Sequence, residues 1–184
     1  MDYLTLTLQG DHYTQGWQHG CQVRDLRPQI AQAIELRFSQ IEREGGDARF
    51  AQLLRETRDL LQEIDAPLLD LIRGQAEALE LEFETLLRYG LVTYLRDDLV
   101  IRNLQGAPVP PAGDSGNTLR GAGELGGKGC TTWAACGSAS ASEQPLLAKN
   151  RDQSPEFIPL QIVANVHPQS GYRYLCSGSA GYPG

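Results

Sequence analysis

With 184 residues, 41% hydrophobic and 21% charged, the chain has the composition of a globular protein of one domain, or of a small domain plus a fragment. A formal net charge of -7, with Lys and Arg scattered among acidic residues, excludes the clustered basic surface that a phosphate backbone requires, so no nucleic-acid partner is expected. No apolar run approaches the roughly 18 residues of a membrane span, and Met1-Asp2-Tyr3 is acidic where a secretory leader is positive; a soluble, cytoplasmic protein with no membrane partner is expected.

Tyr3 to Leu8 sets Leu4, Leu6 and Leu8 against Thr5 and Thr7, the period of a half-buried strand, which the Gly10-Asp11 turn closes. The pattern becomes helical from Tyr13 to Glu44, with Ile30, Ile34, Phe38 and Ile41 on one stripe; Pro28 kinks this helix or begins a second one. Gly16 and Gly20 share one face of the first helix, each at a cost of about 1 kcal/mol in helix propensity, which points to a close approach of another backbone. His19, between them, has no carboxylate or cysteine at ligand spacing and reads as structural.

Gly45-Gly46-Asp47 is a break, with Asp47 placed to cap a helix whose stripe is Phe50, Leu53, Leu54, Leu60, Leu61 and Ile64. Asp65-Ala66-Pro67 restarts the chain into a helix carrying Leu68, Leu69, Ile72, Ala76 and Leu79. A last helix is expected from Glu84 to Arg102. Residues 1–105 therefore form a mostly helical part, followed at 106–129 by a Gly- and Pro-rich linker open to cleavage. From 130 to 184 the period is that of strands, over Thr131–Cys136, Pro145–Lys149, Phe157–Val166 and Tyr172–Cys176, which predicts an antiparallel meander and an α+β fold overall.

The linker ends at Gly129-Cys130-Thr131-Thr132-Trp133, where flexible chain gives way to a strand. A cut between Gly129 and Cys130 would give Cys130 a free α-amine beside its thiol, a base and a nucleophile in one residue. Gly129 offers an unhindered scissile carbonyl. A hairpin then returns through Lys149-Asn150-Arg151-Asp152. A thiolate needs a nearby cation, which Lys149 or Arg151 could supply, and an ammonium needs a carboxylate, which Asp152 could supply; Asn150 could hold the turn or donate a hydrogen bond. Cys21, Cys130, Cys136 and Cys176 form no C-x-x-C pair, and His12, His19 and His167 lack ligand spacing, so neither a metal nor another cofactor is expected.

Gly129-Cys130-Thr131-Thr132, followed some twenty residues on by Lys149-Asn150-Arg151-Asp152, resembles the isopenicillin N acyltransferase (acyl-coenzyme A:6-aminopenicillanic acid acyltransferase) family. That family belongs to the N-terminal-nucleophile hydrolases, with choloylglycine hydrolases and acid ceramidase. Gly16-Trp17-Gln18-His19-Gly20 and Pro67 to Glu77 resemble its helical propeptide region, so the resemblance spans the chain.

The resemblance implies a precursor that cuts itself before Cys130 into α and β fragments, which remain partners. It implies Cys130 as nucleophile and Asp152 as the carboxylate near the new amine. Lys149 stands where relatives carry a basic residue, and Asn150 matches an Asn-x-Asp turn. The implied fold is an αββα sandwich that is incomplete in this chain, with oxyanion-hole donors, an asparagine among them, expected beyond Gly184. The implied activity is hydrolysis of a small-molecule N-acyl amide, or acyl transfer from an amide or acyl thioester, through an acyl-enzyme on Cys130. A homo-oligomer is compatible with this reading. Three other readings remain: a papain-like pair of Cys130 with His167, a non-catalytic binding or assembly module, and an inactive fragment of such an enzyme.

Overall fold

The computed structural model describes residues 3–43, 47–92, 130–151 and 155–182. They fall into two compact units, one made of Met1–Gly106 with Glu156–Gly184, the other of Ala107–Pro155. The fold mixes helix and sheet. No described helix is long and apolar enough to cross a membrane.

The alternating leucines of the N-terminus form β1 (Leu4–Gly10), with Leu6 and Leu8 buried and Thr5 and Thr7 exposed. Asp11 turns the chain into α1 (His12–Gln22), its carboxylate accepting from the Thr14 N–H at 2.8 Å. A 3₁₀ turn over Arg24–Leu26 separates α1 from α2 (Arg27–Arg43). Pro28 therefore lies in the first turn of a second helix, where its missing N–H costs nothing. α3 (Asp47–Ile64) and α4 (Ala66–Leu79) follow as their apolar stripes predict, with Pro67 in the first turn of α4. Residues 83–92 are helical and form α5. The continuation predicted to Arg102 lies outside the described residues.

Two hydrogen-bonded sheets replace the single meander predicted from the strand pattern. β2 (Cys130–Ala135) and β3 (Leu146–Arg151) pair only with each other among the described residues. β4 (Gln161–Pro168) and β5 (Tyr174–Ser179) pair antiparallel, and β4 pairs in parallel with β1, Leu6 opposite Ala164 and Leu8 opposite Val166. The three-stranded order is β1-β4-β5. Leu6, Leu8, Ile162, Ala164 and Val166 thus share one buried face, and Ile30 and Ile34 of α2, Leu69, Ile72 and Leu79 of α4 and Leu86 and Leu87 of α5 complete the core with it, whereas Leu60 and Ile64 of the α3 stripe are exposed. Phe157 to Leu160, expected as the start of a strand, is instead 3₁₀. Pro159 has no N–H for a ladder, and Gln161 Nε2 donates to the Phe157 carbonyl across the turn.

α1 also closes the free edge of β1. Gln22 accepts from the Thr7 N–H at 3.1 Å and donates to the Thr7 carbonyl at 2.9 Å; Gln18 accepts from the Gln9 N–H at 2.7 Å; Gln15 donates to the Gly10 carbonyl at 2.7 Å. The spacing of these glutamines, three and then four apart, is that of one helical face. They pair backbone groups that would otherwise template another strand. Gln22→Ala is expected to cost about 1 kcal/mol in urea unfolding and to raise concentration-dependent light scattering. A variant that scatters no more than wild type would show that the remaining contacts suffice to close the edge.

The same helix packs on α4 through glycine. A Cβ on Gly16 would overlap the Leu71 carbonyl oxygen, one on Gly74 would overlap the Tyr13 carbonyl oxygen, and one on Gly20 would lie 2.6 Å from Ala78 Cβ. The close approach expected from Gly16 and Gly20 is thus met by a third glycine on the partner helix.

Candidate functional site

The candidate site is built on the β2–β3 hairpin. Thr131, Thr132 and Trp133 give β2 its strand character, and Cys130 is its first residue. The return passes through a 3₁₀ turn at Gly137–Ala139 and a bend closed by the Glu143 N–H donating to the Ser140 carbonyl at 3.0 Å. Gly137 and Glu143 both have positive φ, 55° and 57°. Only glycine adopts such angles without strain, so Glu143 marks the tighter point of this connection.

The register fixes what faces what. Cys130 pairs with Arg151, Thr131 with Asn150, Thr132 with Lys149 and Trp133 with Ala148. Because a strand alternates, positions 130, 132, 149 and 151 fall on one side of the ladder, and 131, 133, 148 and 150 on the other. The ladder therefore brings Cys130, Lys149 and Arg151 to one face and one end of the hairpin, while Asn150 belongs to the opposite face. Gly129 and Asp152, the other two candidate residues, lie outside the described residues, as does the 106–129 linker. Trp133 and Leu147 are exposed, so within this unit the hairpin carries uncovered apolar side chains on both faces.

In the other unit, His19 is buried on α1, and its Nε2 accepts from the N–H of Gly181, two residues past β5, at 3.4 Å. Burial pulls its pKa from the usual 6.5 to about 4, so the ring is neutral at pH 7. This is the structural histidine that its sequence context predicted. Among the described residues, no group of three or more His, Cys, Asp or Glu side chains could hold a metal ion.

His167 is on β4, its Nε2 3.0 Å from Asn165 Oδ1. An orienting amide for this ring is thus present two residues upstream on the same strand face. The alternation within Ala164-Asn165-Val166-His167 was the available signal for it.

Neither a family model nor any curated protein matches this chain.

Proposed function

We propose that the chain is a cysteine N-terminal-nucleophile enzyme that cleaves itself between Gly129 and Cys130 and then acts as an amide hydrolase or acyltransferase through an acyl-enzyme on Cys130. The observation that supports this reading is the hairpin register, which opens β2 with Cys130 and pairs that position with Arg151, the last residue of the returning strand.

In the precursor, the Cys130 thiolate attacks the Gly129 carbonyl, and collapse of the tetrahedral adduct breaks the peptide bond to the Cys130 nitrogen. The nitrogen leaves protonated and a thioester remains. Water hydrolyses the thioester, releasing the Gly129 carboxylate and restoring the thiol. The new α-amine, with an ordinary pKa of about 8, accepts the thiol proton near neutral pH. The thiolate then attacks the carbonyl of a small N-acyl amide or acyl thioester, the leaving amine or thiol departs protonated, and the acyl group passes to water or to an amine. Asp152 would orient the α-amine, Lys149 would favour the thiolate, and Asn150 would hold the turn. An αββα sandwich of the N-terminal-nucleophile type is the architecture this reading asks for.

Intact mass and N-terminal sequencing of the purified protein test it. Wild type should separate into two pieces, the second beginning at Cys130, while Cys130→Ala remains whole. Equal cleavage of Cys130→Ala would assign the cut to another protease, and an uncut wild type that turns over amides would remove self-cleavage from the proposal.

A further inference from the structure

The chain leaves β5 through a turn, Ser179–Tyr182, that is tied to several elements. The Tyr182 N–H donates to the Ser179 carbonyl at 3.0 Å, and the Ala180 N–H donates to the Leu160 carbonyl at 2.6 Å. Gly181 has a φ of 74°, and a Cβ there would lie 2.6 Å from Ile30 Cγ2 of α2, so both conformation and space require glycine. The Tyr182 hydroxyl donates to the Gly90 carbonyl at 2.9 Å, and its ring meets Tyr89 edge to face at 5.6 Å between centroids. A further tie is the Gly181 N–H on His19 Nε2. Among these ties, this one alone ends on an acceptor that becomes a donor when it gains a proton. We propose that the turn is a pH-operated latch: neutral His19 holds it against the helices, and a proton on Nε2 releases it while the rest of the core stays folded.

With that proton in place, one N–H faces another at hydrogen-bond distance, and a buried imidazolium needs a counter-charge. The described residues around it supply none. On α1 itself, His12 and Cys21 are exposed and Tyr13 donates to Glu77 of α4 at the surface. Asp70 and Arg73 of α4 pair with each other, and Arg24 and Arg27 pair with Glu80. Asp25 is exposed, and β1 carries no titratable side chain. His167 of β4 is bound to Asn165, and Arg88 of α5 lies over Phe38. Cys176 of β5, Tyr89 and Tyr182 complete the set. None of these groups moves the titration of the ring, whose displacement comes from burial.

Two routes bring water to His19, and they differ in what they break. Lifting α1 undoes the glutamine bonds to β1 and the glycine contact with α4. Lifting the turn undoes the bonds of Ala180 to Leu160, Gly181 to His19 and Tyr182 to Gly90, and it leaves the β4–β5 ladder paired up to Gln161 and Ser179. The second opening is the smaller and therefore the one that protonation draws on. The sign follows from the ring, which titrates near 4 with the turn closed and near 6.5 in water. The closed turn is fully favoured above 6.5 and loses its advantage as pH falls toward 4.

Amide hydrogen exchange, read by NMR and divided at each pH by the intrinsic rate of an unfolded chain, tests the latch. In wild type the Gly181 amide should lose about twentyfold in protection between pH 7 and 5. That exchange should not respond to low urea, whereas exchange of the β4 amides, which requires unfolding, should quicken with it. His19→Gln keeps an acceptor that gains no proton, so its Gly181 protection should be the same at both pH values. Gly181→Ala should leave the Tyr182 amide poorly protected already at pH 7. Equal protection of wild-type Gly181 at the two pH values would overturn the latch, as would an equal acid loss in His19→Gln. So would a wild-type Gly181 amide as sensitive to urea as those of β4, because the ring would then gain its proton only when the whole protein unfolds.

Discussion

Gly16→Ala is expected to lower the stability of the protein by about 2 kcal/mol, against a gain of about 1 kcal/mol for the same change in an open helix. The sign follows from which effect is larger. Alanine improves the propensity of α1, but its Cβ would lie 1.9 Å from the Leu71 carbonyl oxygen and 3.0 Å from the Gln75 nitrogen. Both are backbone atoms of α4, so no side-chain rotation relieves the clash, and the helices must move apart.

Gly74→Ala meets the Tyr13 carbonyl oxygen and the Trp17 nitrogen from the other side of the same interface. Each substitution opens the gap that the other needs, so the double variant should cost less than the two single costs added, by about 1 kcal/mol. Urea unfolding of the four proteins measures this cycle. A stabilised Gly16→Ala, or strict additivity, would mean that the two helices are not held at backbone contact.

Acidification should destabilise the protein through His19. In the unfolded chain this ring titrates near 6.5, and in the folded protein near 4. Above the first value it is neutral in both states and contributes no pH dependence. Between the two, only the unfolded chain takes up the proton, so stability falls as pH falls; below 4 both states are protonated and the loss levels off. The whole window corresponds to about 3 kcal/mol, of which about 2 kcal/mol is lost between pH 7 and 5.

Carboxylates add their own slope at the acid end, so the informative quantity is a difference. His19→Gln keeps an acceptor for the Gly181 N–H but removes the titration. Its stability should fall by about 2 kcal/mol less than that of wild type over the same interval, by urea unfolding at each pH. Parallel curves for the two proteins would show that His19 is not buried as a neutral ring.

Much of this fold was legible because its signals are local. The leucine alternation of β1, the restart at Asp65-Ala66-Pro67 and the Gly16/Gly20 face each depend on a few neighbouring residues. The pairing of β1 with β4 was not legible, since two strands separated by five helices and the β2–β3 hairpin leave no periodicity to read. Gln15, Gln18 and Gln22 carry no signal of their role in the sequence, because a glutamine that binds an edge strand and one that binds water have the same spacing. Pro155 and Pro159 were the signal that Phe157–Leu160 would not extend β4, and the apolar side chains between them masked it.

At the candidate site, the sequence pointed to Cys130 at the start of a strand and to a polar return. It could not assign sides. Whether position 149, 150 or 151 lies opposite Cys130 depends on the length and bends of the connection through Gly137 and Glu143, and a slip of one residue would exchange Asn150 with the two cations.

The glutamines along β1 also give the sheet a direction. Strand addition beside β1 would require Gln15, Gln18 and Gln22 to release their backbone partners together, whereas β5 occupies the other margin of the described sheet. The described sheet is therefore polar: its β1 margin is closed by the side chains of α1, which is the fixed end from which strand order is counted.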